Sequence, residues 1–252
     1  MTAAKTYLDA IEGLIRKIRD TQLGAIDEAA EHFAESIATG HVVHTFGSGH
    51  SVLPVMDLFP RYGAFVGIHP IMDARLMWTT PVGSGGAPEV LWQERQEGYI
   101  DVMLPAHKIE LGDSILIFSH GGLNAAPVEM ALSAKERSLV VVAVTSEENR
   151  IINSPTHSSG KCLADVADIV IDNCSPPEDA LVPIEGTNGN VGASSTITAI
   201  AVAMALLTRT AESLAARGEM PERVFVSPNV PGIAADNNAI VYKDYIQRIH
   251  FR

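Results

Sequence analysis

Apolar residues first recur at helical spacing. Tyr7, Leu8, Ile11, Leu14, Ile15 and Ile18 form one stripe, and Ile26, Ala30, Phe33 and Ile37 form a second, which Gly40 ends at the C′ position. These two helices have two readings: cover for the chain's own sheet, or a surface for another subunit. The pattern then changes to short, continuous apolar runs over residues 42–46, 64–68, 114–118, 139–144 and 168–172, read as buried strands. Between them, the spacing predicts a helix from the turn at 47–51 through about Tyr62, with Gly63 ending it. It also predicts a loop over 81–88, an acidic helix over 89–98 and a helix over 127–137. Ile197, Ile200, Ala201, Met204, Leu207, Ala211 and Leu214 make a long, mostly buried helix. Continuous apolar strands alternating with helices predict an α/β fold whose parallel sheet is covered on both faces.

No linker or low-complexity tract interrupts the 252 residues, so one domain is expected over 1–252. It comprises N-terminal helices (about 5–39), a core (about 41–215) and a C-terminal extension (about 216–252). The net charge of −12 argues against a broad nucleic-acid surface, which needs clustered Lys and Arg. It leaves room for a phosphate held by backbone donors. Cys162 and Cys174 lack zinc-site spacing and are read as buried thiols in a reducing compartment. Asp9, Glu12 and Arg16 interrupt any leader-like run. The longest uncharged stretch, 186–208, begins with Gly, Asn, Ser and Thr, leaving an apolar part too short to span a bilayer. A soluble cytoplasmic protein, with no membrane or nucleic-acid partner, is expected.

Two turns carry the chemistry. Gly47, Ser48, Gly49, His50 and Ser51 follow the first strand. Ser119, His120, Gly121, Gly122, Leu123 and Asn124 follow a later one, and each turn opens a helix. Free N–H groups and the helix dipole make such turns anion sites, and in parallel sheets both lie at the carboxyl edge where ligands bind. A dinucleotide fingerprint fails because its third glycine would fall at Val52, and no GKS or GKT marks a Walker loop. His120-Gly121-Gly122 has the form of an esterase oxyanion loop, but no G-x-S-x-G elbow accompanies it. His41 and His44 are read as pointing to opposite faces, which argues against a metal pair. His50 and His120 lie inside the turns, as fillers or as acid–base groups. Glu94 and Glu97 share a face of the acidic helix at i,i+3, readable as a solvated face or as chemistry. Glu185, among apolar neighbours, is either a helix-capping acid or a base, and Asp57 is a further candidate for the pocket. Ser194 and Ser195 open the long helix, as caps, as pocket walls or as both.

These segments resemble the sugar isomerase (SIS) domain. The likeness rests on Phe46 through Ser51, on the turn from Ser119 to Asn124 of the family's S-x-S-G-x-[ST/N] type, on Thr145-Ser146 after a strand, and on the Ser-Thr opening of the late helix. It runs from about Tyr7 to Leu214 and is nearest to a branch related to the phosphoheptose isomerases. The resemblance implies a three-layer αβα sandwich on a five-stranded parallel, Rossmann-like sheet, and a homodimer or homotetramer. It also implies a phosphorylated sugar bound through Ser51, Ser119 and Asn124 with adjacent N–H groups. Gly121 stands where the family has a second serine, and Pro60 stands near the place of the heptose-phosphate isomerases' catalytic glutamate. The expected activity is aldose–ketose isomerisation through an enediol, with Glu185 or Glu97 as base and His50 as acid, and with no metal or cofactor. Gly85-Gly86 followed by Glu97-Gly98 resembles the muramic acid phosphate etherases, so a lyase is one alternative. A non-catalytic phosphosugar sensor is the other.

Overall fold

The structure, a computed structural model, describes residues 2–250. Helices α1 (Ala3–Thr21) and α2 (Leu23–Ala38) precede β1 (Val43–Gly47), α3 (Val52–Leu58) and β2 (Ile68–Pro70). Then come α4 (Ala87–Gln93), α5 (Tyr99–Met103), β3 (Ser114–Phe118), α6 (Ala125–Glu136), β4 (Val140–Thr145), α7 (Glu147–Ile152), α8 (Leu163–Val166) and β5 (Ile169–Asp172). A small antiparallel pair, β6 (Ala180–Pro183) and β7 (Asn190–Ala193), leads into α9 (Ser195–Arg217) and α10 (Asn237–His250).

The five-stranded sheet is wholly parallel, in the order β2-β1-β3-β4-β5. Strand alternation sends Val43, Leu116, Phe118, Val142 and Val144 to one face, where Phe33 and Ile37 of α2 and Val202 and Leu206 of α9 bury them. Phe46, Ile115, Ile117, Val141 and Ala143 face the opposite layer, formed by Ile100 and Met103 of α5 and Ala126 and Met130 of α6. This is the expected three-layer sandwich. Helix α2 covers its own sheet, while α1 lies outside it against α2, α9 and β6, with Ile18 buried and Leu8 exposed. The α9 helix is long and apolar enough to cross a membrane by length and composition, but half of that window is buried in the fold. Cys162 and Cys174 are free and buried.

Two boundaries differ from the periodicity. The helix after the first turn stops at Leu58 rather than Tyr62, because Pro60 cannot continue it and Phe59 before it is extended. The second strand is shifted from 64–68 to Ile68–Pro70, because Phe65 instead bridges Val224 in antiparallel fashion. Chain order runs outward in both directions from β1, to β2 on one side and β3 on the other. That reversal opens a crevice beyond the carboxyl ends of β1 and β3, where the two glycine turns emerge.

Candidate functional site

Gly47, the last residue of β1, pairs in register with Phe118, the last of β3, so the two turns start side by side. In the first turn, a Cβ on Gly47 would overlap the backbone carbonyl of Ser51. Gly49 has φ +58 and donates its N–H to Leu76 O at 2.7 Å, with the Trp78 ring against its Cα. Gly47→Ala is therefore expected to cost about 1–3 kcal/mol of stability, as overpacking does. Urea unfolding checks this, and an unchanged midpoint would contradict the close approach. In the second turn, the Ser119 hydroxyl accepts the Gly122 N–H at 3.1 Å, and Gly122 sits at φ +64 with no room for a side chain beside Thr145. Gly121 differs: its nearest neighbour, the Asn149 amide, would be 3.7 Å from an added Cβ. His50, Ser51, Ser119 and His120 share a narrow cleft with Ser195 and Thr196 at the start of α9.

The residue that joins the turns is Glu94. Its Oε2 accepts the Ser48 hydroxyl at 2.8 Å and its Oε1 accepts the Asn124 amide at 2.8 Å. Its backbone carbonyl accepts the Ala126 N–H, in the first turn of α6, at 3.0 Å. The side chain comes from just beyond the end of α4 and lies in the gap between both turns, with the residue only 7% exposed. Burial pushes its pKa above the ordinary carboxylate range, and the Ser48 bond, the Arg95 charge and the Asn124 bond offset only part of this. The expected solvated face shared with Glu97 does not form, because α4 stops at Gln93 and the two acids diverge.

The other sequence candidates are placed as follows. Glu97 is exposed and engages the irregular segment after α7, accepting the Ser158 N–H at 2.7 Å and its hydroxyl at 2.5 Å; these bonds lower its pKa. Glu185 lies in the exposed turn between β6 and β7, outside the cleft, and caps no helix. Asp57 pairs with Arg61 one turn along. His50 is exposed at the cleft, edge-on to Trp78 with ring centroids 4.3 Å apart. His120 lines the same cleft with a buried Nδ1 that has no partner among the described residues. Ser194 and Ser195 are both engaged by Asp179, and Ser195 also lines the cleft. Their N–H groups donate to Asp179 Oδ1 at 2.9 and 2.6 Å, and the Ser195 hydroxyl donates to Oδ2 at 2.9 Å. Burial would raise the pKa of Asp179, but these donors outweigh it and hold the carboxyl below its usual range. The N-terminus of α9 thus already carries its anion.

Sequence reasoning left Glu94 undecided between a solvated face and chemistry, and missed Asp179. No short-range signal marks either residue.

A profile described as SIS domain matches residues 6–146. A UPF0309 protein of Caldanaerobacter subterraneus subsp. tengcongensis is 37% identical over 245 residues, covering 96% of this chain and 97% of that protein. One from Thermoanaerobacter pseudethanolicus is 34% identical over 246 residues, covering 96% and 97%. Among solved structures, an E. coli CFT073 protein solved as a complex superposes with a TM-score of 0.51 at 14% identity, covering 86% of this chain and 92% of that one. A phosphoheptose isomerase from Francisella tularensis gives 0.50 at 14%, covering 83% and 98%. Those two likenesses show the fold. With more than half its length matched by the domain profile, and with relatives aligned from end to end, the chain belongs to the SIS-domain family, in the branch of the UPF0309 proteins.

Proposed function

We propose that the crevice binds a phosphorylated sugar and moves a proton between adjacent carbons of it, with Glu94 as the base. One observation carries this reading: a buried carboxyl of raised pKa lies between the two anion-binding turns, held there by one side chain from each. The phosphate is assigned to the hydroxyls of Ser51 and Ser119 with adjacent backbone N–H groups of the two turns. Asn124 is assigned to Glu94 rather than to the phosphate, because its amide is already directed at the carboxyl. In the reaction, Glu94 takes the proton from the carbon beside the carbonyl while His50 protonates the carbonyl oxygen, giving the enediol. Glu94 then returns its proton to the former carbonyl carbon, and the neighbouring hydroxyl gives its proton back to His50. The neutral reaction needs no net proton.

The test is incubation with a panel of aldose and ketose phosphates in deuterated water, followed by NMR. Deuterium beside the carbonyl and interconversion of the pair are expected. Tight binding without exchange would replace this reading with a sensor, and loss of a substituent from the exchanging substrate would replace it with a lyase.

Gly121 offers a second handle. It has the space and an ordinary φ for a side chain, so Gly121→Ser restores the family's second hydroxyl without strain. We expect roughly tenfold tighter phosphosugar binding, the low end of what a hydrogen bond to a charged group contributes. Calorimetry showing equal or weaker binding would move the phosphate away from this turn.

A further inference from the structure

The segment over residues 153–161, between α7 and α8, has no regular structure, yet it is bonded at both flanks of the crevice. Toward the second turn, Thr156 donates its N–H and hydroxyl to Leu123 O at 3.1 and 2.9 Å, and Leu163, just beyond the segment, donates to Gly122 O at 2.8 Å. Toward the stretch that carries Glu94, Ser158 donates its N–H and hydroxyl to the two oxygens of Glu97. His157, its side chain 9% exposed, points Nε2 between Glu97 and Glu129 at 3.8 and 3.7 Å, and Ser159 holds its Nδ1 at 2.7 Å. Glu129, on α6, takes the Gly98 N–H at 2.5 Å. The connection from α4 to α5 is thus fastened to the second turn by a strap three residues downstream of Glu94. Glu94 itself caps the end of α4, its N–H on Val90 O at 2.9 Å, and among the described residues Ser48 and Asn124 hold its carboxyl.

We infer that the 153–161 strap is a clasp that fixes the Glu94 carboxyl between the two turns and keeps water from it, with Glu97 and Ser158 as positioning residues. The inference rests on Glu94 being the base. It gives Glu97, an acid that sequence alone offers as a base, a different task. Releasing the clasp frees the α4–α5 connection, so Glu94 swings toward solvent and becomes an ordinary carboxylate.

The experiment follows Glu94 directly. Carboxyl ¹³C NMR titrations are compared for the full chain and for Glu97→Ala, Ser158→Ala and Glu97→Gln, with the Glu94 resonance assigned by its loss in Glu94→Gln. In Glu97→Ala and Ser158→Ala the Glu94 midpoint is expected to move down toward that of a free carboxylate. The exchange kcat should fall about tenfold or more, as misplaced groups cause, with KM little changed. Glu97→Gln, which keeps a partner for Ser158, should restore both. An unmoved Glu94 midpoint in variants that melt cooperatively like the parent would overturn the clasp. That result is separate from failure of the base assignment, in which Glu94→Gln keeps full exchange whatever the titrations show.

Discussion

Glu94→Gln is expected to slow proton exchange into a bound phosphosugar by about 10²–10⁴-fold, the range a positioned general base supplies. Glutamine has the same shape and can still bond Ser48 and Asn124, so the two turns stay joined and phosphosugar affinity should change little. A loss in kcat with KM preserved would mark an interaction made only in the transition state. The pH dependence has a definite sign. The base must be ionised and burial raises its pKa, so the rate should fall with acid while the pH is still above the ordinary carboxylate range. Stability moves the other way. A carboxyl whose folded pKa is raised contributes most below its unfolded pKa, and that contribution is lost as pH rises through the folded value. Glu94→Gln should therefore be at least as stable as the parent at pH 8 and lose that advantage in acid. Glu185→Gln, altered on an exposed hairpin turn, should exchange like the parent. Exchange in Glu94→Gln within about threefold of the parent would leave Glu94 a brace and send the search for the base elsewhere.

Much of the framework was legible because local pattern and tertiary environment agree there. The α2 stripe, the uninterrupted β3 and β4 runs and the α9 periodicity each bury the face that their spacing marks, whereas the α1 stripe is half-buried. Both turns were legible for the same reason, since glycine and hydroxyl residues after an apolar strand have few other uses. The β6–β7 pair was not, because Asn190 through Ala193 carry little apolar alternation and are mostly exposed. The C-terminal helix α10 buries only Val241 fully, too little to mark a face. Glu94 was hidden for a different reason. Its partners Ser48 and Asn124 lie 46 and 30 residues away, and only the reversal of strand order at β1 brings them together. A short-range pattern sees two acids at helical spacing and does not separate a wet surface from chemistry.

At the opposite end of the same strands, Asp113→Ala is expected to cost about 3–5 kcal/mol of stability without touching the crevice. Asp113 precedes β3, and its side chain is fully buried. It accepts the His44 Nε2–H at 2.9 Å, the Val42 N–H at 3.1 Å and the Glu110 N–H at 2.8 Å. His41 and His44 were expected to point apart, but both approach this carboxylate, since His41 lies before β1 begins and is not bound by strand alternation. Burial alone would raise the pKa of Asp113, but the His44 and backbone donors outweigh it and hold the group well below the usual carboxylate range. A carboxyl so lowered contributes its full stabilisation above its unfolded value near 3.8, and that contribution drains away as pH falls toward the folded one. Removing it takes a shared acceptor from a buried imidazole and from the Val42 and Glu110 N–H groups, which costs far more than losing one surface pair. Urea unfolding at pH 7 should show the loss, and the deficit should shrink as both proteins are taken below pH 3.8, where the unfolded chain protonates the carboxyl that the folded parent still holds ionised. A variant within about 1 kcal/mol of the parent at pH 7 would mean that water replaces the carboxylate, and that the edge formed by β1 and β3 is held by packing alone.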